Sequence, residues 1–450
     1  MNPKNDQYEF DVIIIGGGVT GTALLYVLAH YTNVCRILLV ERRRNVALVN
    51  SNTTNNSQTL HDGSIETNYP LDRALKVQRG ADLLSGFIDR KAPDVGMSIP
   101  KMVIAVDHEV AELERRFAEF APHFTGIRLL RATEIAEAEP NVMKGRSPTQ
   151  NIVALSNPHG HAVDYHRLSE RFLALALEAD VHIERCFDTD VEKIERTPHG
   201  FVVRTADGTP YAGRTVAVAA GSGSLVFAQM MGYGREYVLM PVTGSFYKGQ
   251  GLLGGKVYTM QDPAIPFAAV HGDPAVYNPD ETRFGPTAMM VPLLERHRWE
   301  TFPEFHSTGT LTPRGLWAIA RVLMDPHLFA FGMKNIGYEV PWLGDRLFLQ
   351  AARKVVPSLQ PGDLMLDKGA GGVRGQLVDT RLGKIAKGAD KIVPKDGGII
   401  FTMAPSPGAS YCLGNAEEDA QRIVDWLGSD FRFDAQRLRT ELTGLARLHA

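Results

Sequence analysis

Residues 10–21, "FDVIIIGGGVTG", decide how the rest of the chain is read. Phe10 to Ile15 is an almost unbroken apolar, β-branched run, as expected of a strand covered on both faces. Gly16, Gly18 and Gly21 then stand in G-x-G-x-x-G register, and Ala23, Leu24, Val27 and Leu28 follow at helical spacing. A second strand-like run, "RILLVE" from Arg36, ends on Glu41. Each part has a task. Gly16 permits a tight turn, Gly18 lets a pyrophosphate approach the backbone, Gly21 lets helix pack on strand, and the helix start offers N–H groups to phosphate. Glu41, with Arg42 beside it, sits where ribose hydroxyls would be met. The later "AAGSGS" at Ala219 to Ser224 lacks the third glycine in register. With Gly221 at its centre, it reads as a strand end returning to the first unit, so one dinucleotide is expected.

A chain of 450 residues is too long for one simple core, and two domains are expected. Its formal net charge of -3 argues against a nucleic-acid partner. Cys35, Cys186 and Cys412 are far apart, with neither disulfide nor zinc spacing, which fits a reducing cytoplasm and no metal. The N-terminal residues carry no signal-peptide pattern, and no apolar run reaches the ~18 residues that span a bilayer. Any membrane contact is expected to be peripheral.

Helices are expected over 71–92, 109–121 and 163–179, and strands at "KMVIAV" from Lys101, "VHIERC" and "DVEKIER", with "GFVVRTADG" and "AGRTVAVAA" forming a hairpin. Pro and Gly thicken between 240 and 290, in the manner of a sheet-rich second domain. There His271 ends an apolar run before a Gly-Asp-Pro turn. Near the C-terminus a strand from Ile399 meets Pro-Ser-Pro-Gly-Ala and then a helix of ordinary length.

"NSQTLHDGSIETNY", "KVYTMQDPAIPFAAVHGDP", "TRFGPTAMMVPLLER" and "SPGASYCLGNAEEDAQ" resemble, in order, the blocks of the malate:quinone oxidoreductases. The similarity is to their shorter bacterial group, within the flavoproteins related to D-amino-acid oxidase and glutathione reductase. It implies non-covalent FAD, oxidation of malate to oxaloacetate, and electron delivery to membrane quinone by a cytoplasmic enzyme peripherally associated with the membrane. It implies flavin contacts at Ser57, Gln58 and His61, and at Ser406, Pro407, Gly408 and Ala409, where a helix start near Gly408 would face the charge of the reduced ring.

For the chemistry, His271 is the expected base, with Asp273 a weak orienting partner and His61 the competing base. Arg374 is the expected carboxylate anchor. Its "GVRGQ" resembles the family's valine-arginine-proline-glutamine block, with Gly375 where proline is usual. Arg283 and Lys101 are second-rank anchors. An L-2-hydroxyglutarate dehydrogenase or oxidase, and a non-catalytic flavin-binding protein, are the alternatives.

The expected fold is α/β, a discontinuous Rossmann-like FAD-binding domain with a second α+β substrate domain on a mixed or antiparallel sheet. The expected division is 1–90, 150–235 and 365–428 for the first and 91–149 and 236–364 for the second. Residues 429–450 are expected to form an amphipathic tail whose Leu438, Leu442, Leu445 and Leu448 lie on one stripe, with Arg432, Arg437, Arg439 and Arg447 elsewhere; the stripe suits an anionic headgroup surface, and core packing against the first domain equally well. The stretch 314–344 is the rival docking surface.

Overall fold

A computed structural model describes residues 9–261, 270–340, 342–386, 391–403 and 407–443. The elements used below begin with β1 (Phe10–Ile15), α1 (Val19–Tyr31), β2 (Arg36–Val40), α2 (Leu71–Lys91), β3 (Lys101–Val106), β4 (Ile152–Asn157) and α3 (Tyr165–Glu178). The middle of the chain supplies β5 (His182–Cys186), β6 (Pro210–Val218), β7 (Tyr237–Thr243), β8 (Phe246–Gln250), β9 (Lys256–Thr259), β10 (His271–Ala275) and β11 (Asn278–Gly285). Then come α4 (Pro313–Leu323), α5 (Pro326–Glu339), α6 (Leu343–Ala352), β12 (Val373–Asp379), β13 (Ile399–Thr402), α7 (Cys412–Leu427) and α8 (Ala435–Thr443).

The opening run is buried along its whole length, and β1 lies between two parallel neighbours, β6 and β2. The order β13–β6–β1–β2–β5 is parallel throughout, which is why β1 needs apolar residues on both faces. The hairpin Gly200–Thr205 with β6 pairs antiparallel at the side of this sheet, as the sequence indicates. On one face α1 packs on α3 and α7, burying Leu25, Tyr26 and Leu28 with Phe172 and Leu413.

A second, mixed sheet runs through β8, β11, β10, β9, β3 and β4, antiparallel except where β9 meets β3. Ile152–Asn157, grouped by the sequence reading with the dinucleotide unit, pairs with β3 in this sheet instead. Its hydrogen-bonding partner, not its hydrophobicity, decides its place. A third, antiparallel sheet pairs β7 with β12 in a register that sets Val242 opposite Arg374.

Of the two settings expected for the tail, its described part takes the core. Leu438 and Leu442 are fully buried in the same core as α1 and α2, so their stripe faces protein and not headgroups. Polar contacts hold α8 there: Tyr31 donates to Glu441 Oε2 at 2.9 Å, Arg437 pairs with Glu441 at 2.8 Å, and Arg439 pairs with Glu417 at 2.6 Å. Leu445, Arg447 and Leu448 lie outside the described residues. Leu438→Ala is therefore expected to destabilise the protein by about 2–5 kcal/mol, the cost of a cavity in a packed core. Urea unfolding measures it, and an unchanged midpoint would return Leu438 to the surface.

Candidate active site

A cavity of about 480 Å³ runs from the β1–α1 turn to the start of α7. Gly16, Gly18, Glu41 and Arg42 line one end, Ser57, His61 and Arg374 another part, and Gly221, Pro407, Gly408 and Ala409 are also on its wall. The chain's two ends thus meet on one space.

The first end is shaped for a dinucleotide. Gly16 has φ +107°, and a Cβ there would lie 2.5 Å from Ala219 O; a Cβ on Gly21 would lie 2.0 Å from Gly16 O. Gly21 lies off the wall and serves the packing. The N–H groups of Gly18 and Thr20 have no acceptor among the described residues, whereas Val19 N–H donates to Ser51 Oγ at 3.0 Å. Glu41 Oε2 accepts from Gly17 N–H at 2.6 Å and Oε1 from Arg43 N–H at 2.8 Å. Burial nevertheless raises its pKa above the ordinary carboxylate range, those two bonds opposing the rise. Arg42 is held by Asp190 at 3.1 Å and Glu304 at 2.9 Å. Ser222 Oγ, on the cavity wall and buried, has no partner among the described residues. Free amides at a helix start, a close-approach glycine turn and an orphaned hydroxyl fit the FAD that the fold implies.

Gln58 is not brought to this wall. It is fully buried, donating to Thr53 O at 2.7 Å and accepting from Val276 N–H at 3.0 Å, so it braces the loop that carries Ser57. The C-terminal helix starts four positions later than expected, at Cys412, because Pro407 to Tyr411 form a turn closed by Tyr411 N–H to Pro407 O at 3.2 Å. Gly408, Ala409 and Ser410 keep backbone N–H groups that no described residue accepts, so donors remain at this wall without the helix end itself. Ser406 lies outside the described residues.

His61 is held from both ends of the chain. Its N–H donates to Ser410 Oγ at 2.9 Å, and that hydroxyl donates to Thr59 O at 3.1 Å, which also accepts from Tyr165 at 2.7 Å. Its Nδ1 lies 2.9 Å from Glu66 Oε1. Burial alone would raise the Glu66 pKa, yet the Lys101 charge and the His61 bond overcome it and lower it to about 2. Glu66 is thus an acceptor at neutral pH, which makes Nδ1 the donor and, in the neutral ring, leaves Nε2 with its lone pair. Arg374, half-buried, lines the same cavity, and no ion pair or hydrogen bond holds its guanidinium among the described residues. Burial lowers its pKa from the ordinary arginine value, with Tyr69 opposing the change. Gly375 beside it is explained by crowding, since a Cβ would meet Ser222 Oγ at 2.6 Å and Leu239 at 3.0 Å.

His271, Arg283 and Lys101 stand behind the wall and do not line it. His271 Nε2 is 3.5 Å from Asp273 Oδ1, and its ring is 4.6 Å from Tyr258. Asp273, fully buried, also takes Arg283 at 3.2 Å and Lys256 at 3.3 Å. Attraction to Lys256, Arg283 and His271 outweighs burial and lowers the Asp273 pKa. Burial lowers Lys256 to about 8 despite Asp273. Lys256 Nζ donates to Ser57 O at 2.6 Å and Arg283 to Asn56 O at 3.3 Å, so this cationic cluster braces the loop that forms the wall. Lys101 is 2.6 Å from Asp62 Oδ1, fixing the turn after His61.

Glu66 and Lys256 escape the sequence reading. Glu66 had a visible signal, five residues after His61 in the same polar stretch. Lys256 had none, because its importance comes from β9 lying between β3 and β10.

The fold and this cavity define an FAD-dependent oxidoreductase: residues 11–422 match the family described as DAO, FAD dependent oxidoreductase. Within that class the chain belongs to the malate:quinone oxidoreductase family. It is 38% identical over 440 residues to a probable malate:quinone oxidoreductase of Campylobacter jejuni, covering 95% of this chain and 98% of that one. It is 24% identical over 428 residues to a mitochondrial L-2-hydroxyglutarate dehydrogenase of Caenorhabditis elegans, covering 92% of each. Among solved structures it resembles the FAD-bound L-alpha-glycerophosphate oxidase of Mycoplasma pneumoniae, with a TM-score of 0.63, 18% identity and coverage of 93% and 95%.

Proposed function

We propose that this enzyme oxidises (S)-malate to oxaloacetate with FAD and delivers the electrons to a membrane quinone. The observation that carries the proposal is a half-buried guanidinium without a partner among the described residues, Arg374, on the same cavity as a carboxylate-oriented histidine, His61. Malate brings anionic carboxylates, and one of them gives Arg374 the counter-charge that the described residues do not. A 2-hydroxy acid loses its C2 hydrogen as hydride and its hydroxyl hydrogen as a proton. FAD, when bound, supplies the hydride acceptor. His61 Nε2 takes the proton, and Glu66 across the ring stabilises the imidazolium that forms. His61 therefore replaces His271 as the base; Lys256 and Arg283, gathered by Asp273, hold the loop behind it. The Lys256–Arg283 cluster adds positive potential behind Ser57, favouring an anionic substrate and reduced flavin.

Identity to the Campylobacter relative over nearly the whole chain favours malate over L-2-hydroxyglutarate, which is one methylene longer. Among the described residues no helix is long and apolar enough to cross a membrane, so a quinone is met at the membrane surface. Anaerobic addition of L-malate, L-2-hydroxyglutarate, lactate and an amino acid to the yellow protein tests the reading. Bleaching by malate at the lowest concentration is expected. Faster bleaching by L-2-hydroxyglutarate would transfer the assignment to it, and no bleaching by any would leave a non-catalytic flavin binder.

A further inference from the structure

The outer face of α4 and α5, continued by Trp342 and Leu343 at the start of α6, is not that of a helix layer facing only water. α4 buries Ala318, Ile319 and Val322, and α5 turns Leu328 and Phe331, against Val238, Met240 and Val378 of the β7–β12 sheet. Both helices therefore point their opposite sides outward. On α5 that side carries Phe329, Met333 and Ile336, at spacings of four and three, which is a single helical stripe; all are exposed, as is Val340 just past the helix end. Trp342 is 85% exposed and Met324, at the end of α4, 75%. Large apolar side chains gathered in this way mark a contact surface.

Charge decides what the contact is. Arg314, Arg321, Lys334 and Arg346 are exposed on these same helices, and none forms an ion pair among the described residues. Arg321 lies over the Trp317 ring at 5.4 Å. Asp325 spends its carboxylate on the N–H groups of His327 and Leu328. A second copy docking by the same face would set these cations against each other, because a two-fold interface juxtaposes a patch with itself. A negatively charged surface would not. Trp, Phe and Met with unpaired arginine and lysine around them match an anionic lipid boundary.

We propose that the outer face of α4 and α5, with Trp342, is the surface by which the enzyme lies on an anionic bilayer. The inference rests on quinone being the acceptor, and it replaces the C-terminal tail as the anchor. The inner side of the same helix layer packs with Val242 and Ala288, which also line the active-site cavity. The docked face is thus one helix layer from the cavity where an apolar acceptor must be reduced.

The test is sedimentation of full-length, FAD-loaded protein with vesicles of phosphatidylglycerol and phosphatidylcholine, against phosphatidylcholine alone. Phe329→Glu with Met333→Glu is expected to weaken partitioning at least about tenfold, because two exposed apolar side chains that would enter the bilayer are lost and charges introduced. Arg321→Glu with Lys334→Glu is expected to abolish the preference for the anionic vesicles. Leu177→Glu, an exposed leucine on α3, is the control and is expected to bind like the parent. Malate-dependent reduction of a soluble dye is expected to be unchanged in all three, so failure of the malate reading would show in the parent's dye assay and not in sedimentation. Parent-like sedimentation of the Phe329/Met333 variant overturns the proposal. So does a parent that ignores vesicles, whether or not sedimentation velocity shows a dimer broken by the same substitutions.

Discussion

Arg374→Ala is expected to lower kcat/KM for malate by about 10²–10³-fold while FAD content stays at the parent level. The magnitude follows from removing one partner of a desolvated ion pair, about 3–5 kcal/mol, with each ~1.4 kcal/mol worth a factor of ten. Most of the loss is expected in KM, because a carboxylate that does not react is gripped about equally before and during hydride transfer. Arg374→Lys keeps a charge but not the two-pronged geometry, and is expected to fall between parent and alanine. The stability of the same variant separates function from structure. In the substrate-free enzyme the half-buried guanidinium faces the cavity with no protein partner among the described residues, so its removal breaks no ion pair of the fold. Arg374→Ala is therefore expected to unfold at about the same temperature as the parent. Steady-state dye reduction and thermal unfolding check both halves. Parent-like kcat/KM would remove Arg374 as the anchor, and a large loss of thermal stability would make it a structural residue.

Arg374 was legible because its block resembles a family pattern, and the β1–α1 turn because strand, glycines, helix and acid each demand a residue type that the chain supplies. What could not be read is which of two equivalent residues faces the cavity. Ser57 and Gln58 are adjacent and both polar, but only Ser57 lines the wall, since Gln58 finds both partners in Thr53 and Val276. Nothing near residue 58 in sequence announces Val276. The two histidines show the same limit. His271 follows an apolar strand, as a catalytic histidine can, but β10 is flanked by β9 and β11, which bring Lys256 and Arg283 around Asp273 and enclose it. Leu438 and Leu442 of the tail lie on a helix, and their partner could not be chosen from the sequence, because lipid and the apolar face of α2 ask for the same leucines. Long-range pairing settled each case.

His61→Gln is expected to lower kcat by about 10²–10⁴-fold, the usual worth of a positioned general base, with KM for malate changed little. Glutamine can keep a bond to Glu66 but has no lone pair that holds a proton at neutral pH, so the loop geometry survives and the proton transfer does not. Glu66→Gln distinguishes an orienting carboxylate from a packing one. It leaves His61 in place but no longer requires Nδ1 to be the donor, so the tautomer with Nε2 free loses its advantage and kcat falls with the imidazole still present. The pH dependence of stability gives the second readout. Glu66 has a folded pKa of about 2, below its unfolded value, so its contribution is complete above the unfolded carboxylate pKa and is lost as pH falls toward 2. In the parent, stability should decline through that acid window more steeply than in Glu66→Gln, where the group no longer titrates. If Glu66→Gln flattens the acid limb and kcat stays at the parent value, the carboxylate only stabilises the fold. If His61→Gln retains parent kcat, the proton goes elsewhere and the base must be sought among the residues behind the wall.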